Sequence, residues 1–561
     1  MRKALILTAA IVAAVVLLLL ITRPPAPAVT TGAAPADIGQ RTIAGAYHVH
    51  TTASDGTGTR EAIARAAADA GLRFVVFTDH GDGTRVPTPP QYIGTVLCLD
   101  GIEISTNGGH YVALDMRTSP FPLGGEPSAV VEDVRRLGGF GIAAHPGSLK
   151  EGLAWRDWSL TFDGLEWLSA DSEWRDEPRR ALTRAALYYP FRPAGALATL
   201  LDRPVTLLSR WDSLSSVRPV VGLAAHDAHG GLMARDDGAP ERPLVGSIPS
   251  YRASFRTFAV RAVLPAALTG VAADDGRAVL DAIRRGRVFT AIDAIATPAW
   301  LDFRADRADT PAMMGDALVF EPDVRLSVRT GLPPGGLLVM VCGGKAVAES
   351  STGGMSLPVS SPGACRPEVR MPGAPGDPPV PWLVGNPIYL LPAVAEPVGA
   401  EPLVETALAL TDADWLVEKD PASTMTILRN AGGFVAEYQL GDGRRASQYV
   451  ATVAGLQPPL PPFERLLFTT SAAAPMRLSV QLRFAGGERW VHSVYVEPDP
   501  RRVSLRVADF MPVDRTSTAP PDFRQASSLL FVVDLTNANL GTAGKIEISD
   551  VAFGRPLPLG R

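Results

Sequence analysis

The sequence predicts an α/β region built from repeated strand–helix units, followed by two all-β sandwich domains and preceded by an apolar N-terminal segment. Three observations carry this expectation. Between residues 41 and 298, short apolar runs such as Phe74-Val75-Val76-Phe77 and Val220-Val221-Gly222-Leu223-Ala224-Ala225 alternate with helical patterns. Beyond 298, short alternating runs separated by Gly and Pro take over, the pattern of a sandwich. Finally, an almost unbroken apolar run extends from Ala4 to Ile21.

That run follows Met1-Arg2-Lys3, and basic residues before an apolar stretch fit either an export signal or a membrane anchor. About 20 apolar residues are needed to cross a bilayer, so the run is barely long enough. Ala26-Pro27-Ala28 resembles a cleavage site, but its proline and the preceding Arg23 disfavour cleavage, so residues 1–22 read as an uncleaved anchor rather than a signal peptide. Either way the body is expected outside the cytoplasm, periplasmic or extracellular. Residues 23–40, rich in Pro, Ala, Thr and Gly, read as an extended linker. The chain has 561 residues, 46% apolar and 20% charged, enough for roughly two to four domains with real cores. Its formal net charge of −5 argues against a nucleic-acid partner, which would favour a basic face.

In the first unit, Tyr47-His48-Val49-His50 follows an apolar lead-in that reads as a strand. Strand residues two apart share a face, so His48 and His50 are expected side by side, as half of a transition-metal site. Helical patterns follow from Glu61 to Ala70 and from Ser128 to Leu137. Seven of the eight histidines, His48, His50, His80, His110, His145, His226 and His229, fall in less than half of the chain, mostly at the ends of apolar runs. Chemistry in barrels of βα units sits at those strand ends. Glu103 lies inside the apolar strand Leu97–Ile104, and a carboxylate buried there needs a cation or another partner. Taken alone, Asp55 reads equally well as a turn or helix-cap residue before Arg60.

The ordered set "HVHTTASDG", "FTDHG", "GIEIS", "GHYVAL", "AAHPG" and "HDAHG" resembles the PHP (polymerase and histidinol phosphatase) family over 41–296. The resemblance implies a distorted (β/α)7 barrel over 41–298 that holds two or three divalent ions, Zn, Mn or Fe. It implies a first metal on His48, His50, Glu103 and Asp227. A second would share Glu103 and add His110 and His145, and a third would take Asp55, His80 and His229. The implied activity is a metal-dependent phosphoesterase that uses a hydroxide bridging the first two metals, with Glu103 and Asp227 catalytic. His226 stands where the family more often has a small residue and reads as lying behind the ligands or facing substrate; it joins the catalytic candidates on that ground. Glu166 occupies a position where the family often has an acid, but a strand-capping role fits it equally well.

Residues 299–397 are expected to form the first sandwich. "PWLVGNPIYL" (381–390) resembles the close of the sandwich appended to exported carbaryl-hydrolase-like PHP proteins, which leaves a carbamate or carboxylic ester as the alternative substrate to a phosphoester. Cys342 and Cys365 fall on predicted neighbouring strands, so they form either a disulfide or two buried thiols; Cys98 reads as an inert core thiol. Residues 398–561 are expected to form a second sandwich. Its "FVVDLTNANLGTAGKIEISDVAFG" resembles the closing strands of galactose-binding-like jelly rolls, which makes carbohydrate a candidate partner. A non-catalytic, metal-stabilised glycan-binding surface protein is the remaining alternative.

Overall fold

The computed structural model describes residues 6, 16–17, 19–234, 242–245, 248–306, 312–392, 403–408, 415–430, 433–443, 448–513 and 519–557. Most of the expected anchor, 1–22, lies outside these. Among the described residues no helix is long and apolar enough to cross a membrane. The chain divides into two compact units. Unit 1 comprises 1–81, 86–117 and 134–394; unit 2 comprises 82–85, 118–133 and 395–561.

In unit 1 a short strand, Ala28–Val29, and a helix, Ala36–Arg41, precede strand β1 (Thr42–Val49), helix α1 (Arg60–Asp69), β2 (Phe74–Phe77), β3 (Val96–Thr106) and β4 (Gly109–Leu114). Thr59 caps α1 by accepting from the Ala62 amide, and the helix buries Ile63, Ala64 and Ala67. After α2 (Pro127–Arg136), which runs from one unit into the other, come β5 (Phe140–Ala143), β6 (Gly164–Ser169) and α3 (Ala170–Asp176). Next are α4 (Arg179–Tyr188), α5 (Pro193–Ala198), α6 (Val205–Ser215) and β7 (Val221–Ala225). Helix α7 (Tyr251–Thr257), β8 (Ala259–Val263), α8 (Ala272–Arg284) and β9 (Val288–Ala291) complete this part.

These strands do not make the expected (β/α)7 barrel. They belong to a 16-stranded mixed sheet. The steps β1–β2, β2–β3, β5–β6 and β6–β7 are parallel, but β3–β4, β4–β5, β8–β1 and β8–β9 are antiparallel. The reason is local at β3–β4. Thr106 pairs with Gly109 across Asn107-Gly108, and a two-residue turn can only reverse the chain, whereas a parallel step needs a long crossover. The sheet also continues beyond β9, since β9 pairs with Leu383–Gly385. Alternate residues of these strands, among them Phe74, Val76, Leu97, Leu99, Val112 and Leu223, meet in one core. The intervening ones, such as Val75, Phe77 and Cys98, pack with α1 and α7 in another. With both faces buried, the strands read as continuous apolar runs.

Between 299 and 392 the described elements are strands, among them β10 (Leu301–Asp306), β11 (Arg325–Thr330), β12 (Leu337–Cys342), β13 (Gly354–Pro358), β14 (Gly363–Arg370), β15 (Leu383–Gly385) and β16 (Ile388–Leu391). Strands β10, β11 and β13, with Ala312–Met313, form a separate four-stranded sheet, while β12 and β14–β16 belong to the large one. The "PWLVGNPIYL" stretch joins them to β7 and β9. Asn386 accepts from the Gly222 amide and donates to the Gly222 and Val288 carbonyls, and the Tyr389 hydroxyl donates to the Val220 carbonyl. Cys342 and Cys365 sit directly opposite on β12 and β14 and are disulfide-bonded; Cys98 is a buried free thiol. In the stretch read as a linker, Ala28–Val29 pairs with Ala296–Thr297.

Unit 2 is a β-sandwich of two six-stranded sheets. Its strands include β17 (Trp415–Lys419), β18 (Thr424–Asn430), β19 (Gly433–Gln439), β20 (Tyr449–Gly455) and β21 (Arg465–Ala472). They continue with β22 (Met476–Phe484), β23 (Arg489–Val496), β24 (Arg501–Arg506), β25 (Ala526–Asp534) and β26 (Ala543–Pro556). Trp415, Phe434, Phe468 and Phe531 belong to the core between its sheets, and Ala451, Val453, Leu530 and Val532 form a second, smaller apolar cluster. Alternation along β22 puts Leu478, Val480 and Leu482 into that core and Arg477, Gln481 and Arg483 on the opposite face.

Candidate metal centre

His48 and His50 do come together, with ring centroids 5.1 Å apart, but plain strand alternation is not the reason. The β1–β2 register slips between Ala46 and Val49, and His48 takes φ 61°, a left-handed conformation that L residues rarely adopt. His145 (φ 28°) and Asp227 (φ 44°) are also left-handed. Three of the expected ligands are thus held in strained backbone, which persists only where the surroundings over-determine it. A parallel bridge between Val49 and Ala228 brings Asp227 and His229 beside the β1 histidines.

Glu103 is the hub. It is 1% exposed, and its two oxygens divide five imidazoles between them. Oε1 lies 2.7 Å from both His110 Nδ1 and His145 Nε2. Oε2 lies 3.2 Å from His48 Nε2 and 3.3 Å from both His50 Nε2 and His80 Nδ1. Asp227 Oδ1 stands 3.3 Å from His50 Nε2 and 3.6 Å from His48 Nε2. On the other side of His50, Asp55 Oδ1 is 3.2 Å from Nδ1, and Asp55 Oδ2 is 3.3 Å from both His80 Nε2 and His229 Nε2. All nine residues expected as ligands therefore gather in one cluster. The cluster is buried except around His80 and Asp55, whose side chains are 33% and 21% exposed.

Four subsets offer ligand atoms within 4.8 Å of one another: His50, Asp55, His80 and His229; His48, Glu103 and His145; His48, His50 and Asp227; and His80, Glu103 and His110. The first is the expected third site with His50 added. Glu103 belongs to two subsets, while His110 and His145 fall in different ones. The donors fit divalent cations, since imidazole and carboxylate without thiolate suit Zn, Mn or Fe. The buried nitrogens His48 Nε2, His50 Nε2 and His80 Nδ1 lack a hydrogen bond of acceptable geometry although carboxylate oxygens lie nearby. Buried polar atoms normally have a partner, and a shared cation would satisfy all three.

The surrounding residues fix this geometry. Glu166, fully buried, accepts from His48 Nδ1 at 2.6 Å through Oε1 and from the His145 amide at 2.6 Å through Oε2. It sets the tautomer and direction of one ring and the backbone of another. Asp79 accepts from the Thr51 amide, the Thr51 hydroxyl and the Ser54 hydroxyl, and so ties down the turn that carries Asp55. Gly56 closes that turn, where a Cβ would come within 2.4 Å of the His50 carbonyl oxygen. Nothing in the sequence singles out Asp79 within "FTDHG". His226 lies outside all four subsets. Its ring stacks on Phe258 with centroids 4.3 Å apart, and Nε2 lies 3.0 Å from the Phe258 carbonyl oxygen.

No family model matches the chain, and no curated protein does. Among solved structures it is similar to a family 11 carbohydrate-binding module of the cellulosomal cellulase Lic26A-Cel5E of Clostridium thermocellum. Identity is 15% over 27% of this chain and 94% of that one, with a TM-score of 0.22. It is also similar to a family 29 carbohydrate-binding module mutant (9% identity, 27% of this chain and 86% of that one, TM-score 0.19). An exo-β-agarase gives 10% identity over 27% of this chain and 25% of that one, with a TM-score of 0.20. At TM-scores this low the likenesses say nothing about what the chain binds.

The electrostatics of the cluster follow from burial and mutual charge. Burial opposes an imidazolium at His48, yet Glu166, Glu103 and Asp227 outweigh it and raise the pKa well above the usual value. His50, His145 and His229 are raised as well, their carboxylate neighbours outweighing burial. Burial likewise works against ionised Glu103 and Asp227, but the surrounding imidazoles hold both below the usual carboxylate range. His226 behaves in the opposite way, since burial brings it down to about 4 and keeps it neutral.

Proposed function

We propose that unit 1 is a metal-dependent hydrolase of phosphoesters. One observation carries the reading: a buried carboxylate, Glu103, has its two oxygens shared among five imidazoles, an arrangement suited to joining two cations. The motif order, which resembles that of the PHP family, supports the same reading. On this view His48, His50, Glu103 and Asp227 hold one ion, Glu103 with His110 and His145 a second, and Asp55, His80 and His229 a third. Divalent ions held there would supply Lewis acidity towards phosphoryl oxygens and would lower the pKa of a nearby water. The protein's own part is positional. Glu166 aims His48, Asp79 fixes the Asp55 turn, and Asp227 stays ionised as an acceptor for a proton of the attacking water. The more exposed His80–Asp55 side gives substrate its way in. His226, neutral and bonded to backbone, has a supporting role between β7 and Phe258.

The disulfide between Cys342 and Cys365 supports an oxidising compartment, and with the apolar run at 4–21 it favours an exported, anchored protein. Unit 2 carries a separate proposal, a carbohydrate ligand. One face of its β22-containing sheet forms an open depression that includes Glu418, Tyr449, Gln481, Arg483 and Arg489, planar hydrogen-bonding groups with one ring, a mixture that suits a sugar. Loss of glycan-array binding in Tyr449→Ala would support it; a wild-type protein that binds no glycan would end it. For unit 1, the metal-loaded protein is assayed against phosphomonoesters, phosphodiesters and aryl carbamates. Phosphate release that is abolished by chelation and restored by Mn²⁺ or Zn²⁺ is expected. Turnover of carbamates alone would replace the phosphoester reading.

A further inference from the structure

Beside the cluster, within unit 1, lies a cavity of about 180 Å³. One wall is the chain from His226 to Gly231, which includes the cluster residues Asp227 and His229. The facing wall is one stripe of α4 and the residue after it: Leu182, Ala185, Ala186 and Tyr189, spaced i, i+3, i+4 and i+7. Trp174, Leu197, Leu200, Ile248 and Phe258 close the remaining sides.

Apart from Ser254 and the cluster residues Asp227 and His229, the polar side chains in these walls are already engaged. Asp171 accepts from the Arg175 guanidinium and from Trp174 Nε1. The Thr257 hydroxyl donates to the Ala253 carbonyl, and the Tyr189 hydroxyl accepts from the Ser250 amide. A phosphate or sugar hydroxyl entering here would lose water and find little to replace it, which is costly. An apolar group meets no such penalty. A cavity of about 150 Å³ lined by Leu, Ile and Phe is large enough for benzene, so this one suits a single ring.

We propose that this cavity receives one aryl ring of the substrate whose ester group sits at the cluster, so that the substrates are aryl phosphoesters. The proposal rests on the hydrolase reading above. Asp227 and His229 belong both to the cluster and to the cavity wall, so a ring joined to phosphorus through one oxygen spans the two. In the reaction the bond between phosphorus and the aryl oxygen breaks, a bond from phosphorus to water oxygen forms, and a water proton ends on the departing phenolate. The products are phenol and phosphate.

Two measurements on the full chain test this. First, phenol is titrated into chelator-treated protein by calorimetry, which needs neither metal nor turnover. Saturable binding is expected, weakened at least about tenfold by Ala185→Trp, which fills the cavity. A wild-type protein that does not bind phenol, or a folded variant that binds it equally well, overturns the proposal. Should Ala185→Trp fail to fold, Ala186→Trp, at an exposed position on the same stripe, makes the same comparison. Second, kcat/KM for phenyl phosphate over that for methyl phosphate is expected to fall roughly 10- to 100-fold in the variant. An unchanged ratio overturns the proposal. If neither ester is hydrolysed, the phosphoesterase reading fails, and the phenol titration still decides what the cavity accepts.

Discussion

Glu103 and Glu166 are both buried carboxylates that face imidazoles, yet their surroundings assign them different work. Glu103 touches rings that present their nitrogens to a common space, while Glu166 takes the far nitrogen of a single ring and a backbone amide. Glu103→Gln keeps the size and removes the charge. It is expected to lower bound metal by at least one ion per chain and turnover by orders of magnitude, with the fold retained, as read by elemental analysis and circular dichroism. Full metal and full rate in that variant would remove Glu103 from the centre. Glu166→Gln leaves every ligand in place, so it should keep the metal stoichiometry and weaken affinity about 10- to 100-fold in competition with a chelator. Glu103 was legible in the sequence because a carboxylate interrupts an apolar strand. The role of Glu166 was not, because its partner His48 is 118 residues away and a capped strand end would look the same.

Strands and helices show where pattern reading reaches its limit. Apolar runs located β1, β2, β3 and β7 correctly because burial on both faces writes itself into composition. Strand direction is decided by the connections instead, and the short Asn107-Gly108 turn reverses the chain where repeated βα units would have kept it parallel. Helix α3 holds a group that no pattern signals. Glu173, buried and accepting from the Asp202 amide, has its pKa pushed up to about 8 by burial, with Asp202, Asp176 and Glu177 adding to it. A raised folded-state value means that the folded protein keeps a proton which the unfolded chain has released. The associated stability is therefore full below about 4.5 and is lost as pH rises through about 8. Glu173→Gln, which cannot ionise, should raise the unfolding free energy more at pH 9 than at pH 5, a difference on the order of a few kcal/mol read by urea unfolding at the two pH values. An equal change at both pH values would rule out the titration. The disulfide between β12 and β14 closes a loop with a sequence separation of 23, so its reduction should cost about 3 kcal/mol. Non-reducing peptide mapping should find Cys342 linked to Cys365, with Cys98 alkylated only after unfolding.

At the scale of the whole molecule, sequence order and compactness disagree, and this was the least legible feature. Unit 2 is a β-sandwich from the C-terminal part of the chain, yet it also contains 118–133, drawn from between β4 and β5. The link is charged and buried. Arg477, on the outer face of β22 with its side chain 1% exposed, donates to Asp133, whose side chain is 3% exposed, and to Glu132 and the Ala129 carbonyl. Close by, the Ser493 amide donates to Glu126, and Asn537 donates to the Pro122 carbonyl. A lone arginine at an outward position of a strand reads as solvated surface, so nothing in the local pattern announced a partner 344 residues earlier. Breaking a buried ion pair from one side leaves the other charge desolvated. Arg477→Leu and Asp133→Asn should therefore each destabilise unit 2 by roughly 3–5 kcal/mol. Because the two changes remove one shared interaction, the double variant should lose much less than the sum of the singles. Urea unfolding of the four proteins, with hydrogen exchange of the β22 amides to localise the effect, measures both quantities. Strict additivity would mean that the pair does not hold 118–133 to the sandwich. A coupling of the expected size would also mean that residues 395–561, cut out alone, lack part of their own fold.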